Sequence, residues 1–283
     1  MTVTDAELSS YASSHDIITL GVAADEARRS KHASRTTYVR VHDVDAAEGA
    51  PVEVPPSAGE VRIVGRPASA AAAVARVREV AKAAGAVPVS GYSLADLEDL
   101  AATEQTPLRT LLEDLKRAGL ELVAEAPIDK LRDARLAIEE TNIAGLSLAR
   151  LTVHALPSAD IPALYRQVAA LQQQVGVIRA FAPLPRSVNP AVPTTGYDDV
   201  RRVALARLFI PNIPSIQVDW ALYGPKLAQV ALTVGADDLD AVSPADAVPE
   251  GRRRAPLEEV RRNINAAALE PVERDGRFDV RAQ

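Results

Sequence analysis

The sequence predicts an α/β chain folded as a (β/α)8, TIM-barrel-like domain whose first crossover helix is missing or truncated. Three observations carry this. Short β-branched or apolar runs start at Thr36, Glu60, Val87, Glu121, Leu146, Val177, Ile216 and Asp238, and helical periods separate them. No G-x-G-x-x-G loop supports a dinucleotide fold, although an open doubly wound sheet is the other architecture this alternation allows. Between the first two strands only Asp45 to Gly59 intervene, with Pro51, Pro55 and Pro56 and no helical period. Parallel neighbours need a crossover of about a dozen residues, usually a helix.

The elements follow in order. Asp16 to Ser30 repeats apolar residues at Ile17, Leu20, Ala24 and Ala27 and reads as a helix. Thr36 to Val44 and Glu60 to Gly65 are strands, and Ser69 to Ala84 is a helix ending near Gly85. Val87 to Ser90 is a short strand. Leu94 to Leu100 and Pro107 to Ala118 are helices, the second with proline in its first turn and Gly119 at its end. Strand Glu121 to Ala126, helix Ile128 to Asn142, strand Leu146 to Leu156, helix Ile161 to Gln174 and strand Val177 to Leu184 continue the alternation. Helix Asp198 to Phe209, strand Ile216 to Leu222, helix Gly224 to Val234 and strand Asp238 to Val242 complete it. Val242 to Pro249 reads as a surface loop, and Leu257 to Ala268 as a helix before a polar tail. The chain divides as one domain: residues 1–33 an N-terminal helical extension, 34–243 the barrel, 244–283 a C-terminal helix and tail.

Composition narrows the function. Of 283 residues, 47% are apolar and 25% charged, as in an ordinary globular chain, and only 4% are aromatic. A net charge of −6 argues against nucleic acid or an anionic membrane as partner. No apolar run approaches the ~20 residues of a membrane span. Met1 to Ser14 lacks a secretory pattern, so a cytoplasmic protein is the expectation. Cysteine is absent, which excludes disulfides, zinc–thiolate sites, thiol catalysis and ordinary iron–sulfur ligation. No nucleophile elbow or Walker A loop is present.

Several segments then combine. They are the run Ile216-Gln-Val-Asp-Trp-Ala-Leu-Tyr-Gly-Pro-Lys to Gly235-Ala-Asp-Asp-Leu-Asp240, Phe181-Ala-Pro-Leu-Pro, Thr195-Gly-Tyr-Asp-Asp-Val, Val203-Ala-Leu-Ala-Arg-Leu and Pro271-Val-Glu-Arg-Asp. They closely resemble the aminofutalosine synthases, radical SAM enzymes of the futalosine route to menaquinone, and more weakly the cyclic dehypoxanthine futalosine synthases. His15-Asp-Ile-Ile-Thr-Leu-Gly and Thr37-Tyr-Val-Arg resemble the family's leading helix and first strand. In the family that strand runs into C-x-x-x-C-x-x-C, which binds a [4Fe–4S] cluster. Here the same place reads Val41-His-Asp-Val-Asp-Ala-Ala-Glu-Gly-Ala-Pro. Where the family has a Gly-Gly pair near SAM, only Gly65 remains, followed by Arg66. The family's Gly-rich, Glu-bearing turn reads Ala124-Glu-Ala-Pro-Ile, and Leu151-Thr-Val-His154 keeps a histidine at a family position. The resemblance therefore implies a pseudoenzyme with neither cluster nor SAM, Arg66 repelling the SAM ammonium.

The candidate ligand pocket lies at the later strands: His154, Asp219, Tyr223, Lys226, Asp237, Asp238 and Asp240. Barrel sites gather at strand C-termini. His154 either lines that pocket or is a hydrogen-bonded structural residue. Asp219, an acid inside an apolar strand, either faces ligand or pairs with Arg150 or Arg179. The aspartates after Gly235 bind a cation or hydroxyls, or one caps a helix. Lys226 meets an anion or only solvent. His42 and Asp43 are too few for a metal site and read as a solvated pair. No metal, cofactor or catalytic residue is assigned. The expected partners are a nucleoside-like ligand and a homo- or hetero-oligomeric pathway enzyme. The alternatives are a non-radical lyase or hydrolase using acid–base residues, or a structural partner of an active paralogue.

Overall fold

A computed structural model describes residues 4–47, 51–155, 160–187, 194–251 and 253–281. The chain opens with α1 (Asp5–Ser13), held by a reciprocal Thr4–Glu7 capping box, and α2 (Ile17–His32), capped by Asp16. Then come β1 (Arg35–Asp45), β2 (Glu60–Val64), α3 (Ala70–Ala84), β3 (Val89–Ser93), α4 (Leu94–Thr103), α5 (Leu108–Ala118), β4 (Leu122–Pro127) and α6 (Ala134–Ile143). β5 (Ser147–Leu148) and β6 (Leu151–Val153) are two pieces of one stave, both pairing with β4. The chain continues through α7 (Ile161–Val175), β7 (Ala180–Pro185), α8 (Gly196–Phe209), β8 (Ser215–Asp219) and α9 (Trp220–Leu232). It ends with β9 (Asp238–Val242), α10 (Pro256–Ala266) and β10 (Glu270–Arg274).

Every ladder between these strands is parallel, and β9 returns to β1 at Thr37↔Asp238. The sheet is therefore a closed barrel of eight staves, which settles the choice against an open doubly wound sheet. Between β1 and β2 no helix forms among the described residues, in line with the proline-rich sequence. The flank is nevertheless closed. β1 and β2 pair from Val41↔Glu60 to Asp45↔Val64. Val52 and Val54 of the connection pack on the core, and Ala58 is fully buried.

Four further differences have local causes. The segment before Asp133 is held in turns, so the helix expected from Ile128 starts at Ala134, capped by the Asp133 side chain. The strand expected through Leu156 ends at Val153; Leu156 itself lies outside the described residues. The helix expected from Gly224 begins at Trp220 and kinks where Gly224, at φ 74°, precedes Pro225. The tail is not merely polar. β10 lies beside the first half of β1, from Arg35↔Glu270 to Val39↔Arg274. Beyond it the chain crosses the N-terminal end of the barrel. Arg277 forms a two-pronged ion pair with Glu121, just before β4, at 2.6 and 2.8 Å, and its carbonyl accepts from Arg179, just before β7, at 2.6 Å.

Candidate functional site in the barrel lumen and mouth

Strand alternation decides which side chains enter the lumen. On β1, Tyr38 and Arg40 face outward to Glu273, while Thr37 faces inward to Asp238. The inward positions of the other strands carry an unusual amount of charge for a barrel, whose interior normally holds branched aliphatic residues.

The lowest layer centres on Asp238, fully buried. It accepts a two-pronged contact from Arg274 at 2.6 and 2.7 Å, one bond from Gln217 Nε2 at 2.6 Å and one from Thr37 Oγ1 at 2.5 Å. Above it, Asp240 takes both prongs of Arg62 at 2.9 and 2.8 Å and a further contact from Arg150. Glu60 completes this layer, accepting from Arg62 at 2.9 Å and from Ser90 at 2.5 Å. Burial works against a charged Asp240, but Arg150 and Arg62 outweigh it and hold its carboxyl well below the usual range. Arg150 is itself pushed down, by burial first and then by the like charge of Arg62.

The top layer is partly open. Arg186, just past β7, bridges Asp219 at the end of β8 (2.5 Å) and Glu125 on β4 (3.1 Å). The Glu125 contact is an ion pair by distance only: its Oε2 is not aligned with the Arg186 N–H as a hydrogen bond. Asp219 also caps α9 through Leu222 N–H at 2.8 Å. Tyr223 donates to the Pro185 carbonyl at 2.5 Å, and burial pushes its phenol up. Asp43 sits on the rim over Asp240 and Glu60. The residue keeps contact with solvent, but its carboxyl is pushed upward by burial first and then by those two negative charges, against the pull of Arg62.

The candidate residues thus separate into different places. Asp219 and Tyr223 lie at the mouth, and Asp240 lies beneath them in the lumen. Asp238 is at the far end, sealed by the tail. Asp237 points away from the lumen: buried, it pairs with Arg207 of α8, accepts from Ile216 N–H at 2.8 Å and lies 3.4 Å from His32 of α2. Asp237 and Asp238 therefore do not share a pocket, because neighbouring strand residues face opposite sides. Neither Arg150 nor Arg179 is the partner of Asp219; Arg186 is. His154 follows β6 directly and is half-buried. Its N–H donates to Asp129 and its carbonyl accepts from Ser187, with no hydrogen bond from its imidazole among the described residues. Lys226 is exposed on α9. Arg66 pairs on the surface with Asp99 at 3.3 Å and Asp96 at 3.9 Å.

These features define a closed parallel (β/α)8 barrel with a charge-filled lumen and a polar mouth at the C-terminal ends of β4, β7 and β8. Solved structures share that fold. Methylornithine synthase (PylB) superposes with a TM-score of 0.67 at 13% identity, covering 96% of this chain and 94% of that one. The FeFe-hydrogenase maturase HydG from Carboxydothermus hydrogenoformans gives 0.67 at 11% identity, covering 96% and 76%.

Sequence relatives are more specific. Residues 184–283 match the CofH/MqnC C-terminal region. The aminodeoxyfutalosine synthase of Thermus thermophilus is 28% identical over 227 residues, 68% of this chain and 60% of that protein. A 5-amino-6-(D-ribitylamino)uracil–L-tyrosine 4-hydroxyphenyl transferase of Archaeoglobus fulgidus is 36% identical over 123 residues, 39% of this chain and 36% of that protein. The cyclic dehypoxanthine futalosine synthase of Streptomyces coelicolor is 30% identical over 82 residues, 27% and 21%. The chain spans 60% or less of the length of these relatives. The chain is thus similar to the aminodeoxyfutalosine synthases and, over shorter stretches, to the ribitylaminouracil transferases, and its sequence contains no cysteine. The residues present do not fit a thiolate-held cluster. No cysteine occurs in the sequence, and the place of the family motif is taken by the last part of β1, where His42 and Asp43 lie on opposite faces of the strand.

Proposed function

We propose that the chain is a non-radical binding protein related to the aminofutalosine synthases, and that its barrel mouth takes a polyhydroxylated, nucleoside-like compound. The observation that supports this is the convergence of Arg186, Glu125 and Asp219 from three strand ends over a sealed, ion-paired floor. Carboxylates accept from ligand hydroxyls and a guanidinium donates back to their oxygens. The excess of carboxylates at the rim, with Asp43 among them, disfavours phosphorylated ligands. The compounds in the relatives' names, aminodeoxyfutalosine and 5-amino-6-(D-ribitylamino)uracil, share this hydroxylated character, and a place beside the futalosine route to menaquinone follows from the first. Calorimetric titration of both compounds into the purified chain tests the reading: saturable heat with one of them is expected, and flat titrations with both overturn it. Anaerobic treatment with iron and sulfide should leave the protein colourless, and a stoichiometric cluster would refute the non-radical part.

One observation favours a second reading, acid–base catalysis on such a compound. The upward-shifted Asp43 carboxyl stands on the rim, where a proton donor would meet a bound ligand. Turnover lost in Asp43→Asn would establish it, and ligand recovered unchanged from wild type would dismiss it.

A further inference from the structure

Below the Arg186 bridge, three buried polar side chains of the lumen are incompletely paired among the described residues. Arg150, 3% exposed, has no hydrogen-bond partner for Nε. Thr152, fully buried, has none for Oγ1. Gln217 gives its Nε2 to Asp238, but its Oε1 is bare. Buried polar atoms nearly always find partners, and each one left bare costs about as much as a lost hydrogen bond.

The register brings these atoms to one region. Arg150 and Thr152 are successive inward positions of the stave formed by β5 and β6, since Arg150 reaches across the lumen to Asp240. Thr152 lies beside Ala182 of β7. Continuing the pairs Ala180↔Ser215 and Phe181↔Ile216 by one residue sets Ala182 beside Gln217. Phe181 faces outward, edge-on to Tyr165 of α7, so Ala180 and Ala182 face inward and contribute only methyl groups. The methyl-only middle stave leaves a trough between two staves whose backbones lie two strand spacings, about 10 Å, apart, with a guanidinium and a hydroxyl on one wall and an amide oxygen on the other. It lies beneath the Arg186 bridge at the mouth.

We infer that this trough is the subsite for the hydroxyls of a pentose-derived group, an inference that rests on the proposed binding function and assigns the end of the ligand that enters the barrel. Arg150 Nε can only donate, Gln217 Oε1 can only accept, and Thr152 Oγ1 does both. A hydroxyl is the group that accepts from the first and donates to the second. A fully ionised phosphate gives the Gln217 oxygen no donor, and an ammonium gives Arg150 no acceptor.

Thr152→Val tests this. Valine keeps the shape and removes a hydroxyl that has no partner in the protein, so the melting temperature of the ligand-free chain should stay the same or rise. The variant should bind 5-amino-6-(D-ribitylamino)uracil or aminodeoxyfutalosine, whichever saturates wild type, about tenfold more weakly. Thr152→Ser should restore wild-type affinity. If Thr152→Val binds as tightly as wild type, the trough holds only water and the subsite is refuted, while the proposed function stands. If wild type binds neither compound, the proposed function and the subsite fall together.

Discussion

Replacing Arg274 by methionine isolates the role of the lowest charged layer. Asp238 and Arg274 are 0% and 2% exposed and meet through two bonds of 2.6 and 2.7 Å. Removing one partner of such a pair leaves a buried charge and costs about 3–5 kcal/mol. Gln217 and Thr37 still donate to Asp238, which pulls the loss toward the lower end. Arg274 also stacks over Phe278 at 3.9 Å, and losing that contact adds about 1 kcal/mol. A net loss of about 4 kcal/mol corresponds to about 8 °C in a chain of this size, at about 2 °C per kcal/mol. Calorimetric melting at neutral pH reads the shift directly. Asp238→Asn and the double variant complete a cycle in which the double loss should fall short of the sum by more than about 1 kcal/mol. A melting shift under about 2 °C, or strictly additive losses, would refute the buried-pair argument.

Three further outcomes follow from the same geometry. Gly235→Ala should destabilise by about 1–3 kcal/mol in denaturant unfolding, since Gly235 has φ +116° and an added Cβ would stand 2.9 Å from Arg207 Cβ. Asp43→Asn should raise the melting temperature at pH 7. A carboxyl whose folded pKa is raised stabilises the fold only below its unfolded pKa and loses that contribution as pH rises through the folded value, so the two melting curves should converge below about pH 4. Arg186→Met should weaken binding of the nucleoside-like compound about tenfold in calorimetric titration, and unchanged affinity would remove the mouth from the site.

Much of the fold was legible because each stave announces itself locally. β-branched runs and glycine- or proline-marked ends located the eight strands within a few residues, and the prolines at 51, 55 and 56 disclosed the missing crossover helix. Strand β10 was not legible, because Glu270-Pro-Val-Glu-Arg274 is polar and makes sense only beside β1, more than two hundred residues away. The site was legible in kind but not in partnership. A period of two places Glu60 with Arg62 and Asp238 with Asp240 on single faces, which marks charged positions inside the barrel. Which arginine meets which acid depends on register around the closed sheet, and no local signal carries that. Arg186 escaped notice for this reason, and Asp237 was grouped with Asp238 although a strand sends neighbours to opposite sides. Gly235 explains that run without a ligand: its backbone turns where Arg207 leaves no room for a side chain, and Arg207 then donates to its carbonyl at 2.8 Å.

The charged lumen bears on why the barrel survives without its first crossover helix. A buried ion pair is seldom the cheapest way to fill a core, since hydrophobic residues of equal volume are often as stabilising or more so. Its distinct contribution is direction. Asp240 of β9 is held by Arg62 of β2 and Arg150 of the β5–β6 stave, so one carboxylate ties together strands from opposite sides of the barrel. Asp238 of β9 is held by Arg274 of β10, which is itself laid along β1. The staves next to the shortened β1–β2 connection are thus braced from within and from the end, where a helix would otherwise clamp them from outside. Neutralising Asp240 should therefore loosen β2 and β9 together, read as faster amide exchange in both strands than in β3 and β4. Faster exchange confined to β9 would mean that the pair fills space without bracing the barrel.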